Sequence, residues 1–69
     1  GGRKVLLRAV ILESGNLGEL SIERSSGDDR LDQEALRMVR QAFPFPLQFA
    51  LGRPHVVVRI PISYSLSPF

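Results

Sequence analysis

The sequence predicts an α+β fold: a two-layer sandwich, β-β-α-β, with a three-stranded antiparallel sheet in the order 2-1-3 and one helix packed on one face. Three observations predict it. Two apolar-rich runs, residues 4–12 and 17–25, flank the turn signal Glu13-Ser14-Gly15-Asn16, as in a hairpin. Residues 31–42 repeat apolar side chains at helical spacing. Residues 55–66 alternate cleanly around an internal Pro61, the pattern of a half-buried strand.

The first strand is apolar on both sides. Val5, Leu7, Ala9 and Ile11 point one way; Leu6, Arg8, Val10 and Leu12 point the other. Such a strand belongs in the centre of its sheet. In the second strand Leu20 and Ile22 face one way, and Glu19, Ser21 and Glu23 the other. Placing Leu12 opposite Leu17 sets Ala9 opposite Leu20 and Leu7 opposite Ile22. A slip of one residue would bring Glu19 and Ser21 onto the apolar face, so the pattern selects this register. On the other face Arg8 then lies across from Ser21, with Glu19 and Glu23 in diagonal reach.

Ser25-Ser26-Gly27-Asp28-Asp29 reads as a polar loop leading into the helix. Asp29 is the expected N-cap, its carboxylate accepting from free backbone amides. Asp32 and Glu34 suit the positive end of the helix, Arg37 and Arg40 the negative end. Leu31, Ala35, Met38, Val39 and Ala42 form the expected apolar face, with Leu36 off that stripe and partly covered. Pro44 ends the helix, and Pro46 keeps the chain extended. Phe43, Phe45 and Phe49 supply aromatic anchors for the loop that follows.

In the third strand Val56, Val58, Ile60, Ile62, Tyr64 and Leu66 share one face; Val57, Arg59, Pro61, Ser63 and Ser65 share the other. A right-handed crossover through the helix puts this strand on the free side of the first. The helix then covers Val5, Leu7, Ala9, Ile11, Leu20, Ile22, Val58 and Ile60.

Composition narrows the function classes. A chain of 69 residues makes one domain, 1–69, with residues 1–4 expected to be flexible or foreign to the native domain. With no Cys and one His, disulfides and the usual zinc sites are not expected. No cofactor, metal or catalytic group is predicted. The acids Asp28, Asp29, Asp32 and Glu34 lack the spacing of a calcium loop and read as helix capping. His55 with Ser63 or Ser65 lacks an orienting acid and an oxyanion site. Nine Lys and Arg stand against seven Asp and Glu, interspersed rather than gathered in the stripe of a nucleic-acid face. The longest apolar run, residues 5–12, is broken by Arg8 and too short to span a bilayer. A start at Gly1-Gly2 reads as a piece cut from a longer protein.

The third strand carries the candidate site. Proline has no N–H, so inside a sheet it sits where that N–H would have faced away from the neighbour. If Pro61 points outward, then Val57, Arg59 and Ser63 present their backbone groups outward too, because backbone direction alternates along a strand. Two readings stay open. Arg59 and Pro61 blunt the edge against unwanted pairing, or the edge is a binding surface for an added strand. The candidate partner-binding residues are Val57, Arg59, Pro61, Ser63 and Arg8, with the two arginines offered to acidic residues of the partner.

One spaced string carries a family resemblance. It runs from Ser25-Ser26-Gly27 through Leu31-Asp32, Ala35-Leu36 and Val39-Arg40 to Phe45-Pro46, Gly52-Arg53-Pro54 and the Ile60-Pro61-Ile62 strand. The chain resembles the C-terminal domain of the TonB family of energy transducers over residues 5–66. The resemblance implies a non-enzymatic periplasmic domain of an inner-membrane-anchored protein of a Gram-negative bacterium. It implies capture of an extended segment, the TonB box, of a TonB-dependent outer-membrane transporter as an added strand, with residues 55–65 as the pairing edge. It also implies inner-membrane proton-channel partners for the region upstream. The Tyr-Pro element and short helix that often precede the family's first strand do not occur here, and Ser14-Gly15 replaces the usual Asp-Gly turn. The alternatives are a small nucleic-acid-binding α/β domain, disfavoured by a sheet face without aromatics, and a structural envelope homodimer formed edge to edge or by strand exchange.

Overall fold

A computed structural model describes residues 2–44 and 52–65. The elements are β1 (Gly2–Leu12), β2 (Leu17–Arg24), α1 (Asp29–Gln41) and β3 (His55–Ser65). Both neighbours of β1 run antiparallel to it, in the order β2-β1-β3, so the predicted topology is the one observed. β1 begins at Gly2, ahead of the expected start at Lys4, and Gly2 pairs with Ser65.

Alternation fixes the middle of the hairpin: Leu7 pairs with Ile22, Arg8 with Ser21 and Ala9 with Leu20. The turn end differs from expectation. Ile11, not Leu12, lies opposite Leu17. The Leu12 N–H donates to the Asn16 carbonyl at 2.8 Å, and the Gly15 N–H donates to the Leu12 carbonyl at 2.8 Å. That tight closure uses a left-handed Gly15 at φ 91°, a conformation glycine adopts without steric cost. It draws Asn16 towards Leu12 and leaves Gly18 as an extra residue between Leu17 and Glu19. A second register shift, at Glu23, falls between the Leu6 and Leu7 pairs. Each is a bulge, which bends the edge strand and raises its twist.

The helix begins two residues before the expected Leu31, and its N-cap is Asp28 rather than Asp29. Gly27 at φ 90° turns the chain. Asp28 is then extended, and its Oδ1 accepts from the Arg30 N–H at 2.9 Å. The apolar face is also rotated from the expected one. Asp32, Ala35, Leu36 and Val39 are buried, at the i, i+3, i+4, i+7 spacing of one helix side, and Phe43 packs at the end of that row. Leu36 is thus a full core residue, whereas Met38 is 39% exposed and Ala42 is exposed.

Val5, Leu7, Ala35, Leu36 and Val39 form the core, with Leu20, Ile22, Phe43, Ile60, Ile62 and Tyr64 packed against it. Ile22 and Ile60 are half-buried; Ala9 and Ile11 are buried. The Tyr64 hydroxyl donates to the Leu31 carbonyl at 3.2 Å and ties β3 to the helix. Phe45, Pro46, Phe49 and Leu66 lie outside the described residues.

Candidate functional site: the open edge of β3

One hydrogen bond sets the phase of the β1–β3 ladder. The Glu13 N–H donates to the Pro54 carbonyl at 3.0 Å. This pair continues the register that places Leu12 opposite His55. Hydrogen-bonded and non-bonded pairs alternate along antiparallel strands. The even residues of β3, in phase with Pro54, therefore bond to β1. The odd residues His55, Val57, Arg59, Pro61 and Ser63 turn their backbone groups away from it. Pro61 fits this phase, since its missing N–H falls on the outer side. Among the described residues no strand, loop or helix bonds to these outward groups.

The sheet has a second edge, but of different quality. The Leu12–Asn16 bond places the backbone groups of the even residues of β1 towards β2, which leaves the backbone groups of Leu20 and Ile22 facing outward while their side chains pack on the core. Two bulges interrupt that eight-residue strand. β3 pairs through all 11 of its residues without a shift. A regular edge can extend a ladder; a bulged one resists pairing.

Side chains on the face away from the helix form a charged band between apolar ends. Arg8 and Arg59 lie directly opposite each other. Arg59 Nε donates to both Glu23 carboxylate oxygens, at 2.9 and 3.0 Å. Arg8 Nη1 lies 4.0 Å from Glu19 Oε2. Each cation is thus matched by an acid on β2 and lies inward over the sheet. At one end of the band Val57, 39% exposed, sits opposite Val10 and diagonal to Leu12, itself 38% exposed. Val57, Arg59, Pro61 and Ser63 therefore share the open edge. Arg8 belongs to the central strand, and its backbone is engaged with β2.

The acids resolve into separate structural duties. Asp28 caps the helix, and Glu34 pairs with Arg37, whose Nε donates to Glu34 Oε2 at 3.0 Å. Asp32 does more than offset the helix dipole. It is buried at 5% exposure. Its Oδ1 accepts from the Ser26 N–H at 2.9 Å and from Ser26 Oγ at 2.6 Å, and its Oδ2 accepts from Ser25 Oγ. The hydroxyls of Ser25 and Ser26, followed by the Ser26 amide, hold the Asp32 carboxyl below the usual carboxylate range, against a smaller opposing effect of burial. Arg3 Nη1 adds a bond to the Ser26 carbonyl at 3.2 Å, so this clasp fixes the β2–α1 loop to both sheet and helix. Its signal in the sequence was an acid standing within the apolar row of the helix. Among the described residues no group of three or more His, Cys, Asp or Glu could hold a metal ion, and no helix is long and apolar enough to cross a membrane.

Residues 3–66 match the family described as Gram-negative bacterial TonB protein C-terminal. The chain is 33% identical over 63 residues to a protein of Pseudomonas aeruginosa named Protein tonB2; the match covers 91% of this chain and 23% of that protein. The chain therefore spans about a quarter of the length of this curated relative. No solved structure gives a significant match.

Proposed function

Given that this chain belongs to the TonB C-terminal domain family, we propose that it is the transporter-binding end of an envelope energy transducer, and that it works by adding an extended segment of an outer-membrane transporter to β3. The reading rests on one observation above the others: β3 carries a regular row of outward backbone groups to which no described residue bonds. Main-chain bonds to an added strand would supply affinity, and the side chains beside it selectivity. No covalent chemistry is needed. In the full-length protein, upstream segments would link this domain to the inner membrane and its proton-channel partners, so that force reaches the captured strand. A single strand buries little area, so affinity is expected on the order of micromolar or poorer.

Val57→Pro tests the reading. It deletes an outward N–H and leaves the bonds to β1 in place, since proline is tolerated on the free side of an edge strand. Binding of a transporter N-terminal peptide, followed by calorimetry, should vanish while the circular dichroism spectrum stays unchanged. Unchanged binding by a folded Val57→Pro variant would exclude β3 as the capturing edge.

A further inference from the structure

The odd residues of β3 are not equivalent. His55, Val57, Arg59 and Ser63 each present one outward donor and one outward acceptor. Pro61 presents only its carbonyl, and its ring methylene occupies the place where an amide hydrogen would meet the incoming strand. Neighbouring strands sit about 4.8 Å apart, a spacing that leaves no room for a methylene between two backbones at hydrogen-bonding distance. An added strand can follow β3 closely on one side of Pro61 and must then diverge.

The two sides differ in what they offer. Before Pro61, three consecutive outward residues are complete, at His55, Val57 and Arg59. Beyond it, the described strand has Ser63 and Ser65 before it ends. The first stretch also has the apolar surface. Val57 adjoins Val10 and Leu12 on one face of the sheet, and Val56, Val58 and Ile60 are half-buried on the other. A strand needs such side-chain contacts as well as its ladder to be held.

Resting on the capture reading above, we infer that Pro61 is the stop of the site. The captured segment pairs with His55–Arg59 only, over roughly five residues. It carries apolar side chains on both faces beside residues 56–58, and it turns away from the sheet at Pro61. Ser63 then lies outside the contact. The proline both limits the length of the ladder and keeps the remaining edge from joining a second copy of the chain.

Amide hydrogen exchange tests this, using as probe a synthetic transporter N-terminal peptide of about twelve residues, long enough to cover all of β3. In the native protein the Val57 and Arg59 amides should slow by about tenfold or more on saturation, and the Ser63 amide should not change. In Pro61→Thr, slowing should extend to position 61 and to Ser63. Should that variant fold poorly, the native protein alone still decides. Slowing of Ser63 together with Val57 and Arg59 in the native protein overturns the stop and leaves capture standing. No slowing at any β3 amide overturns capture itself.

Discussion

Arg59 reaches from β3 across the whole of β1 to Glu23 on β2, with its Nε 2.9 and 3.0 Å from the two carboxylate oxygens. The pair spans two strand spacings, about 10 Å of sheet, and draws the Arg59 side chain inward while its backbone faces outward. Glu23 occupies the bulge position of β2. The irregularity that blunts one edge therefore supplies the anchor for a side chain on the other.

Both partners of this bridge are partly solvent-exposed, at 58% and 33%, so its contribution to stability is small. A double-mutant cycle with Glu23→Gln and Arg59→Gln should give a coupling of about 0.2–1 kcal/mol that shrinks with added salt. A coupling unaffected by salt would mean that the pair is more enclosed than the structure shows.

Leu7 is fully buried at the junction of both strand pairs. Leu7→Ala should destabilise the domain by about 2–5 kcal/mol, a large share of the roughly 5–15 kcal/mol that holds a typical domain together. Denaturant unfolding measures it. A midpoint equal to that of the native protein would contradict the core assignment.

Gly27 stands at φ 90°, and a side chain there would also approach Arg3 Nη1 to 3.2 Å. Gly27→Ala should cost about 1–3 kcal/mol through backbone strain, whereas Gln33→Ala on the exposed side of the helix should change little. Equal melting temperatures for these two variants would contradict the left-handed turn.

The lowered pKa of Asp32 makes a pH prediction with a definite sign. A carboxyl whose pKa is lower folded than unfolded adds stability above its unfolded value and loses it as pH falls through the folded one. Native stability should therefore decline on acidification through and below the usual carboxylate range. Asp32→Asn should be less stable at neutral pH, and its stability should depend less on pH across that interval. Parallel pH profiles for the two proteins would rule out the Ser25–Ser26–Asp32 clasp as a source of stability.

Sheet order and hairpin register were legible because period-two alternation leaves few choices: Leu20 and Ile22 reach the helix side only when Ile22 meets Leu7. Pro61 likewise announced the direction of the β3 edge through a missing N–H. The bulge at Gly18 was not legible, because it depends on how tightly Gly15 closes the turn. The buried helix face lies one position round from the one expected from the apolar spacing. Apolar residues at 31, 35, 36, 38, 39 and 42 fit two adjacent stripes equally well, and the choice is made by what the helix rests on. Asp32 marks the true row, yet an acid in the first turn of a helix reads as a dipole partner until the Gly27 turn brings Ser25 and Ser26 against it.

The most direct test of strand capture is an amide-shift titration of the isotope-labelled domain with a transporter N-terminal peptide. The account predicts the largest shifts at His55, Val57 and Arg59, with Leu20 and Ile22 on the bulged edge of β2 unmoved. Shifts centred on Leu20 and Ile22 instead, or no shift on either edge at saturating peptide, would contradict it.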